Sequence, residues 1–211
     1  MLLFSMPTKR FLFLFWTCIT LTAAAQTPEA SYPSNLPEGK YEKVYPLSEG
    51  LARVHLDQKY GFVNALGQEV VPLMYDGASD FREGKARVKL GEKYGFIDLR
   101  GAVVVPIEYD QARSFREGLA VVSKDHRFGY VNTQGEEVID LRFDQAQSVS
   151  EGRALVTSNG KMGYFDTRGE RITPIVYDRA YPYFKGKARV VRNGRTRYLD
   201  LAGDCIKNCQ D

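Results

Sequence analysis

Histidine and cysteine are scarce in this sequence, and neither sign of charge is in surplus. Its 211 residues hold 2 histidines, 3 cysteines, and 29 basic against 26 acidic side chains. His55 and His126 stand outside any metal-ligand cluster, which leaves histidine-based metal or nucleophile chemistry little to use. The phosphate-cradling signatures Gly-x-Gly-x-x-Gly and Gly-Lys-Ser/Thr are missing, and so is a Gly-x-Ser-x-Gly nucleophile elbow. Beyond the N-terminal apolar run, no stretch sustains an i, i+3, i+4 apolar period over three turns, which argues against a helical architecture.

What is present begins with an address. Lys9-Arg10, the 12-residue apolar run FLFLFWTCITLT and Ala23-Ala24-Ala25 form a secretory signal over residues 1–25, with Gln26 as the expected mature start. The run is too short to cross a hydrocarbon layer of roughly 30 Å, and no second run of membrane length follows. Removing it leaves 211 − 25 = 186 residues and 29 − 2 = 27 basic against 26 acidic side chains. That balance lacks the concentrated basic surplus of a nucleic-acid binder. Residues 26–40, QTPEASYPSNLPEGK, read as a flexible proline-rich tether. At the other end, 205–211 form a tail carrying Cys205 and Cys209. In an oxidising compartment such a pair reads first as a disulfide, provided that residues 206–208 turn back on themselves; a free or intermolecular pair is the alternative.

Between these ends the chain repeats itself every 34 residues. KYGFV, KYGFI, RFGYV and KMGYF begin at Lys59, Lys93, Arg127 and Lys161. They carry the signature pairs Tyr60-Gly61, Tyr94-Gly95, Phe128-Gly129 and Met162-Gly163, and the series lapses at Thr196-Arg197. A period of this length implies stacked supersecondary units. Each aromatic, β-branched run leads into Asn or Asp and then a glycine, as a strand entering a hairpin does. EVVPLMYD, AVVVPIEYD, EVIDLRFD and RITPIVYD read as returning strands, and the prolines at 72, 106 and 174 place them at a sheet edge, strand end or bulge. KARVKL and its equivalents alternate, with Ala86 and Val88 on one face and Lys85, Arg87 and Lys89 on the other.

The expected fold is therefore all-β, a tandem array of 34-residue meanders with about three strands each. Units 59–92, 93–126, 127–160 and 161–194 lie between half units 41–58 and 195–204. An open curved array is favoured, and a small five-bladed closure is the alternative.

This pattern resembles the WG (KWG) repeat family over residues 41–204. The second unit, YGFIDLRGAVVVPIEYDQARSFREGLAVV, matches best, although the signature tryptophan is replaced in every unit. The resemblance implies a β-rich repeat, often in exported bacterial proteins, without catalytic residues to carry over.

The remaining candidates for chemistry are repeated too. Asn64, Asp98, Asn132, Asp166 and Asp200 fit turn chemistry better than a ladder of calcium ligands. The Glu49 and Asp76 series recur in every unit, whereas an active site breaks symmetry. Arg53, Lys85, Arg87, Lys89, Arg153, Lys187 and Arg189 would form an intermittent basic stripe able to meet an anionic glycan or lipid headgroups. No cofactor or metal site is expected. The favoured function is an exported, non-catalytic module that meets a protein or anionic glycan at the cell envelope. The alternative is an envelope glycan hydrolase that uses carboxylates of one diverged unit.

Overall fold

Alternating burial along each strand needs something to cover both faces, and the chain supplies it by stacking sheet on sheet. The computed structural model describes residues 31–209. The expected signal, residues 26–30 of the tether, and 210–211 lie outside them.

The first sheet is a meander of β1 (Lys43–Ser48), β2 (Leu51–Leu56), β3 (Lys59–Asn64) and β4 (Glu69–Tyr75). The second has β5 (Gly77–Ala78), β6 (Lys85–Leu90), β7 (Lys93–Asp98) and β8 (Val103–Tyr109). The third repeats this with β9 (Gln111–Ala112), β10 (Leu119–Lys124), β11 (Arg127–Asn132) and β12 (Glu137–Phe143). The fourth has β13 (Gln145–Ala146), β14 (Arg153–Ser158) and β15 (Lys161–Asp166); the fifth has β16 (Arg179–Ala180), β17 (Ala188–Arg192), β18 (Arg195–Leu199) and β19 (Cys205–Lys207).

The unit differs from the expected three-stranded one. The connector after each Tyr-Asp contributes a two-residue strand, so four strands are usual and the sheet boundary falls at the Tyr-Asp. The 34-residue units and the two half units are thus arranged as five sheets. The returning strand is missing in the fourth sheet, where RITPIVYD forms only isolated bridges at Arg171 and Tyr177. There the Thr173 hydroxyl accepts the Tyr164 N–H at 3.1 Å, and a side chain takes the place of the ladder partner.

The core lies in the seams between sheets. Phe62, Val71 and Tyr75 of the first sheet pack with Phe81, Ala86 and Val88 of the second. Three further clusters join the second sheet to the third, the third to the fourth and the fourth to the fifth. No cluster of the described residues joins the fifth sheet to the first, so the row is open. Its first face is covered instead by Leu36 and Tyr41, packed on Ala52, Val54 and Val63. The described part of the expected tether, 31–40, therefore has no strand yet lies on the first sheet. Ser34 N–H donates to Ala65 O at 2.8 Å, and Leu36 stands 34 positions before Val70, where a preceding sheet would place its last strand.

Two glycine series serve different contacts. A Cβ on Gly95 would lie 2.6 Å from Val105 O in the returning strand of the same sheet, where the ladder bulges. Gly101, at φ +83°, turns the hairpin, and a Cβ on it would lie 2.9 Å from Val71 Cγ2 of the preceding sheet. Arg197 is possible at the first kind of position because β19 ends at Lys207. Its pairing with β18 reaches only Tyr198 and Leu199. Cys205 and Cys209 are disulfide-bonded across a turn with Cα atoms 5.6 Å apart.

Candidate functional site

Every seam is closed by carboxylates, which decides what those groups are free to do. The Glu-Gly turns have both residues at positive φ, as in Glu83 (+54°) and Gly84 (+72°), a conformation that turns two N–H groups outward. Glu83 Oε1 and Oε2 accept from Glu117 N at 2.7 Å and Gly118 N at 2.8 Å in the next sheet. Glu117 does the same for Glu151 and Gly152, and Glu151 for Lys185 and Gly186. Glu49 receives Gly84 N at 2.8 Å. The last sheet has Lys185 in this place, and no following turn lies against it among the described residues.

The aspartates form a second set of links. Asp76 accepts Lys59 Nζ at 2.5 Å and Gly91 N at 2.6 Å, which ties the first sheet to the second. Asp110, Asp144 and Asp178 repeat the arrangement with Lys93, Arg127 and Lys161. The Lys59 ammonium, then the Gly91 N–H, hold the Asp76 carboxyl below the usual carboxylate range. Asn64, Asp98, Asn132, Asp166 and Asp200 make turns: Asn64 Oδ1, for example, accepts Leu66 and Gln68 N–H groups at 3.0 Å. Among the described residues no group of three or more His, Cys, Asp or Glu side chains could hold a metal ion. Nor is any helix there long and apolar enough to cross a membrane.

The signature side chains Tyr60, Tyr94, Phe128 and Met162 are half-buried and pack against the core. Each stands opposite the aromatic of its Tyr-Asp or Phe-Asp pair, as Tyr94 does with Tyr109. Gly61, Gly95, Gly129 and Gly163 beside them are buried.

The basic residues do not form one solvent-facing stripe. Both faces of each inner sheet are covered, so the face bearing Arg53 and Arg87 lies toward the next sheet. Arg53 donates through Nη1 to Ala78 O and has Nε 3.3 Å from Asp80 Oδ1. The ring of Tyr45 covers its guanidinium at 3.8 Å. Arg87 Nη1 donates to Ala112 O at 2.8 Å, and Arg153 Nε to Leu201 O at 2.9 Å. Lys89 Nζ lies 3.4 Å from Glu92 Oε2, and Lys85 is half-buried. Lys187 and Arg189 are exposed; among the described residues no sheet covers the Arg189 face, and Tyr181 stacks on it at 4.0 Å.

Sequence reasoning missed one exchange. The third and fourth sheets have Val121 and Leu155 where the first two have arginine, and Tyr130 and Tyr164 where those have Phe62 and Phe96. Tyr130 O–H donates to Gln147 O at 2.5 Å and Tyr164 O–H to Tyr181 O at 2.6 Å. Burial pushes both phenols up. The signal was present in the repeats as paired substitutions at cross-strand partners.

The seam between the second and third sheets opens into a cleft of about 270 Å³, bordered by Arg87, Tyr94, Gln111, Arg113 and Phe128 among others. Arg113 is exposed, and among the described residues neither it nor Arg87 has a carboxylate in ion-pair contact.

The repeat itself matches a family model, the WG containing repeat, at residues 38–60, 60–94, 94–125, 128–161 and 162–195. The chain belongs to the WG containing repeat family. Nothing among the curated proteins matches this WG repeat chain. Among solved structures it is similar to Hsv2p of Kluyveromyces lactis, at 12% identity and a TM-score of 0.47, over 80% of this chain and 66% of that one. The WD40 domain of SCAP from fission yeast is 10% identical at a TM-score of 0.39, over 79% and 54%. A Bacteroides caccae protein of unknown function is 11% identical at 0.33, over 81% and 82%. The WG repeat chain thus spans less than two thirds of the Hsv2p and SCAP chains, and such likenesses carry nothing about partners.

Proposed function

We propose that this WG repeat chain is an exported, non-catalytic scaffold that offers its sheet row to a protein or glycan partner at the bacterial cell envelope. The observation that supports this most is the commitment of the repeated acids. Glu83, Glu117 and Glu151 hold pairs of backbone N–H groups, and Asp76, Asp110, Asp144 and Asp178 hold a cation and an N–H each. A hydrolase needs one carboxyl poised to give a proton and another free to attack or activate water. Carboxylates whose oxygens are already committed to charge-assisted hydrogen bonds serve as joints.

Export rests on Lys9-Arg10, the apolar run and Ala23–Ala25. The Cys205–Cys209 disulfide fits an oxidising compartment. Expression of the full chain in a bacterial host should yield a periplasmic or secreted product whose N-terminal residue is Gln26. Cytosolic retention of unprocessed chain would overturn the location. The purified protein, applied to immobilised envelope proteins and glycans with reducing-end release followed in parallel, should bind saturably without release. Repeated turnover of a glycan would favour the hydrolase.

A further inference from the structure

The cleft between the second and third sheets gains its meaning from two positions elsewhere in the row. Arg53, Arg87 and Arg189 occupy the same place in their sheets, 34 or a multiple of 34 positions apart. Tyr45 covers the first guanidinium at 3.8 Å and Tyr181 the last at 4.0 Å. These two tyrosines are themselves equivalent, and the residue at their place in the second sheet is Ser79. Arg87 is therefore left without the ring that its counterparts have, with only Tyr94 beside it at 5.5 Å, and it borders the cleft. The acid that neutralises Arg53, Asp80, is also lost, because the third sheet has Ser114 there. One position earlier it adds a second cation, Arg113, on the cleft wall.

The remaining groups point the same way. Asp110 is the acid at the rim, and Lys93 is paired with it at 2.5 Å, so the cleft keeps the charge of its two arginines. Ser123 is 1% exposed, and its hydroxyl has no hydrogen-bond partner among the described residues. It stands opposite both Gln111 and Phe128 in the ladder, two residues of the cleft, and such partners share a face.

We infer that this cleft binds a peptide segment of a protein partner that presents one aromatic side chain beside a carboxylate. The ring lies against the Arg87 guanidinium, as Tyr45 and Tyr181 do in their own sheets, and the carboxylate pairs with Arg113. A planar guanidinium stacks on aromatic faces and pairs with carboxylates in a fixed fork geometry. The volume sits just below the roughly 300–1,000 Å³ of drug-sized sites, which suits one ring and not a chain of rings. The inference deepens the scaffold reading and rests on it.

The test titrates the full protein with four probes: a capped hexapeptide containing Tyr-Asp, the same peptide with Tyr-Asn, the same with Ala-Asp, and a galacturonate oligomer. The Tyr-Asp peptide should bind saturably, and both altered peptides at least tenfold more weakly. Arg113→Gln should weaken the Tyr-Asp peptide to a similar degree. Ser79→Tyr supplies the missing ring from within the chain and should abolish binding; Ser79→Ala, which loses the same 3.0 Å bond from the Arg87 N–H without adding a ring, should bind the Tyr-Asp peptide as the parent does, which separates occlusion from local disturbance. Undiminished binding by S79Y, equal binding of Tyr-Asp and Tyr-Asn, or no binding of any peptide overturns the inference. Preference for the galacturonate oligomer overturns it too but leaves the scaffold reading intact, whereas turnover of a probe would sink that reading itself.

Discussion

The second and third sheets meet the same demand with different side chains. Each must place a donor on a backbone carbonyl of the sheet that follows. The second uses the Arg87 guanidinium opposite Phe96; the third uses the Tyr130 hydroxyl opposite Val121. The first and fourth sheets follow suit, with Arg53 opposite Phe62 and Leu155 opposite Tyr164. The two positions change together because a covered seam has room for one long polar side chain. In the fifth sheet, where this face is open, Arg189 stands opposite Tyr198 and both donors are kept. What the seam fixes is the place of a donor; its chemistry is free to vary.

The sharpest way to break this comparison is to mix the two solutions. Val121→Arg puts a guanidinium beside Tyr130 in a covered seam, and an uncompensated buried charge should cost about 3–5 kcal/mol. Adding Tyr130→Phe recreates the pairing of the second sheet and should recover at least about 1 kcal/mol of coupling in a denaturant double-mutant cycle. Strict additivity would show that the two positions are independent.

Next in size is the test of how tightly a seam is filled. Ala120 is fully buried between the second and third sheets, so Ala120→Leu should cost about 1–3 kcal/mol by overpacking. Lys124→Ala, at the exposed end of the same strand, should cost less than about 0.5 kcal/mol. Equal shifts in urea unfolding would contradict the assignment of faces.

The tyrosine-bearing half should also show a pH dependence of its own. Burial raises Tyr130 and Tyr164, and it pushes Tyr183, whose O–H donates to Asp200 O at 2.8 Å, up to about 12. A phenol whose folded value lies above the ordinary 10 contributes stability that is complete below pH 10 and lost as pH rises through its folded value. Unfolding free energy should therefore fall from pH 10 to 12. Tyr164→Phe should cost about 1 kcal/mol at neutral pH by removing the part-buried hydrogen bond to the Tyr181 carbonyl, and should flatten that fall. An unchanged slope would remove the phenols from the account.

The smallest effect is expected at Arg197. β19 does not pair across it, so Arg197→Gly should destabilise by less than about 1 kcal/mol, through backbone entropy and the loss of the side chain's own contacts. A gain of more than that in reversible unfolding would mean that a neighbour presses on this position, as one does on Gly95.

Much of this was legible in the residues. The 34-residue period, the β class, the burial of Ala86 and Val88, and the Asx turns follow from spacing and side-chain type. The two-residue strand Gly77–Ala78 did not, because two residues carry no periodicity. Alternation told which face Arg53 and Arg87 occupy but not that a sheet would cover it, so guanidiniums that serve a seam read as a stripe. The glutamate series was visible, but its partners are backbone N–H groups of the next sheet, which leave no mark in a sequence. Leu36 was hidden for a different reason: a single leucine among prolines and polar residues reads as tether, yet one side chain at the right distance covers an open face.

The glutamate joints have a consequence for how such a protein changes length over generations. Each Glu-Gly turn is at once a socket for the carboxylate behind it and the bearer of the carboxylate for the turn ahead. A tandem duplication or deletion of 34 codons, wherever its breakpoints fall among the inner sheets, leaves every socket filled and every carboxylate placed. The row is therefore a polar thread, with a beginning and an end but no privileged middle. Natural relatives that differ by whole units should retain the same joints throughout.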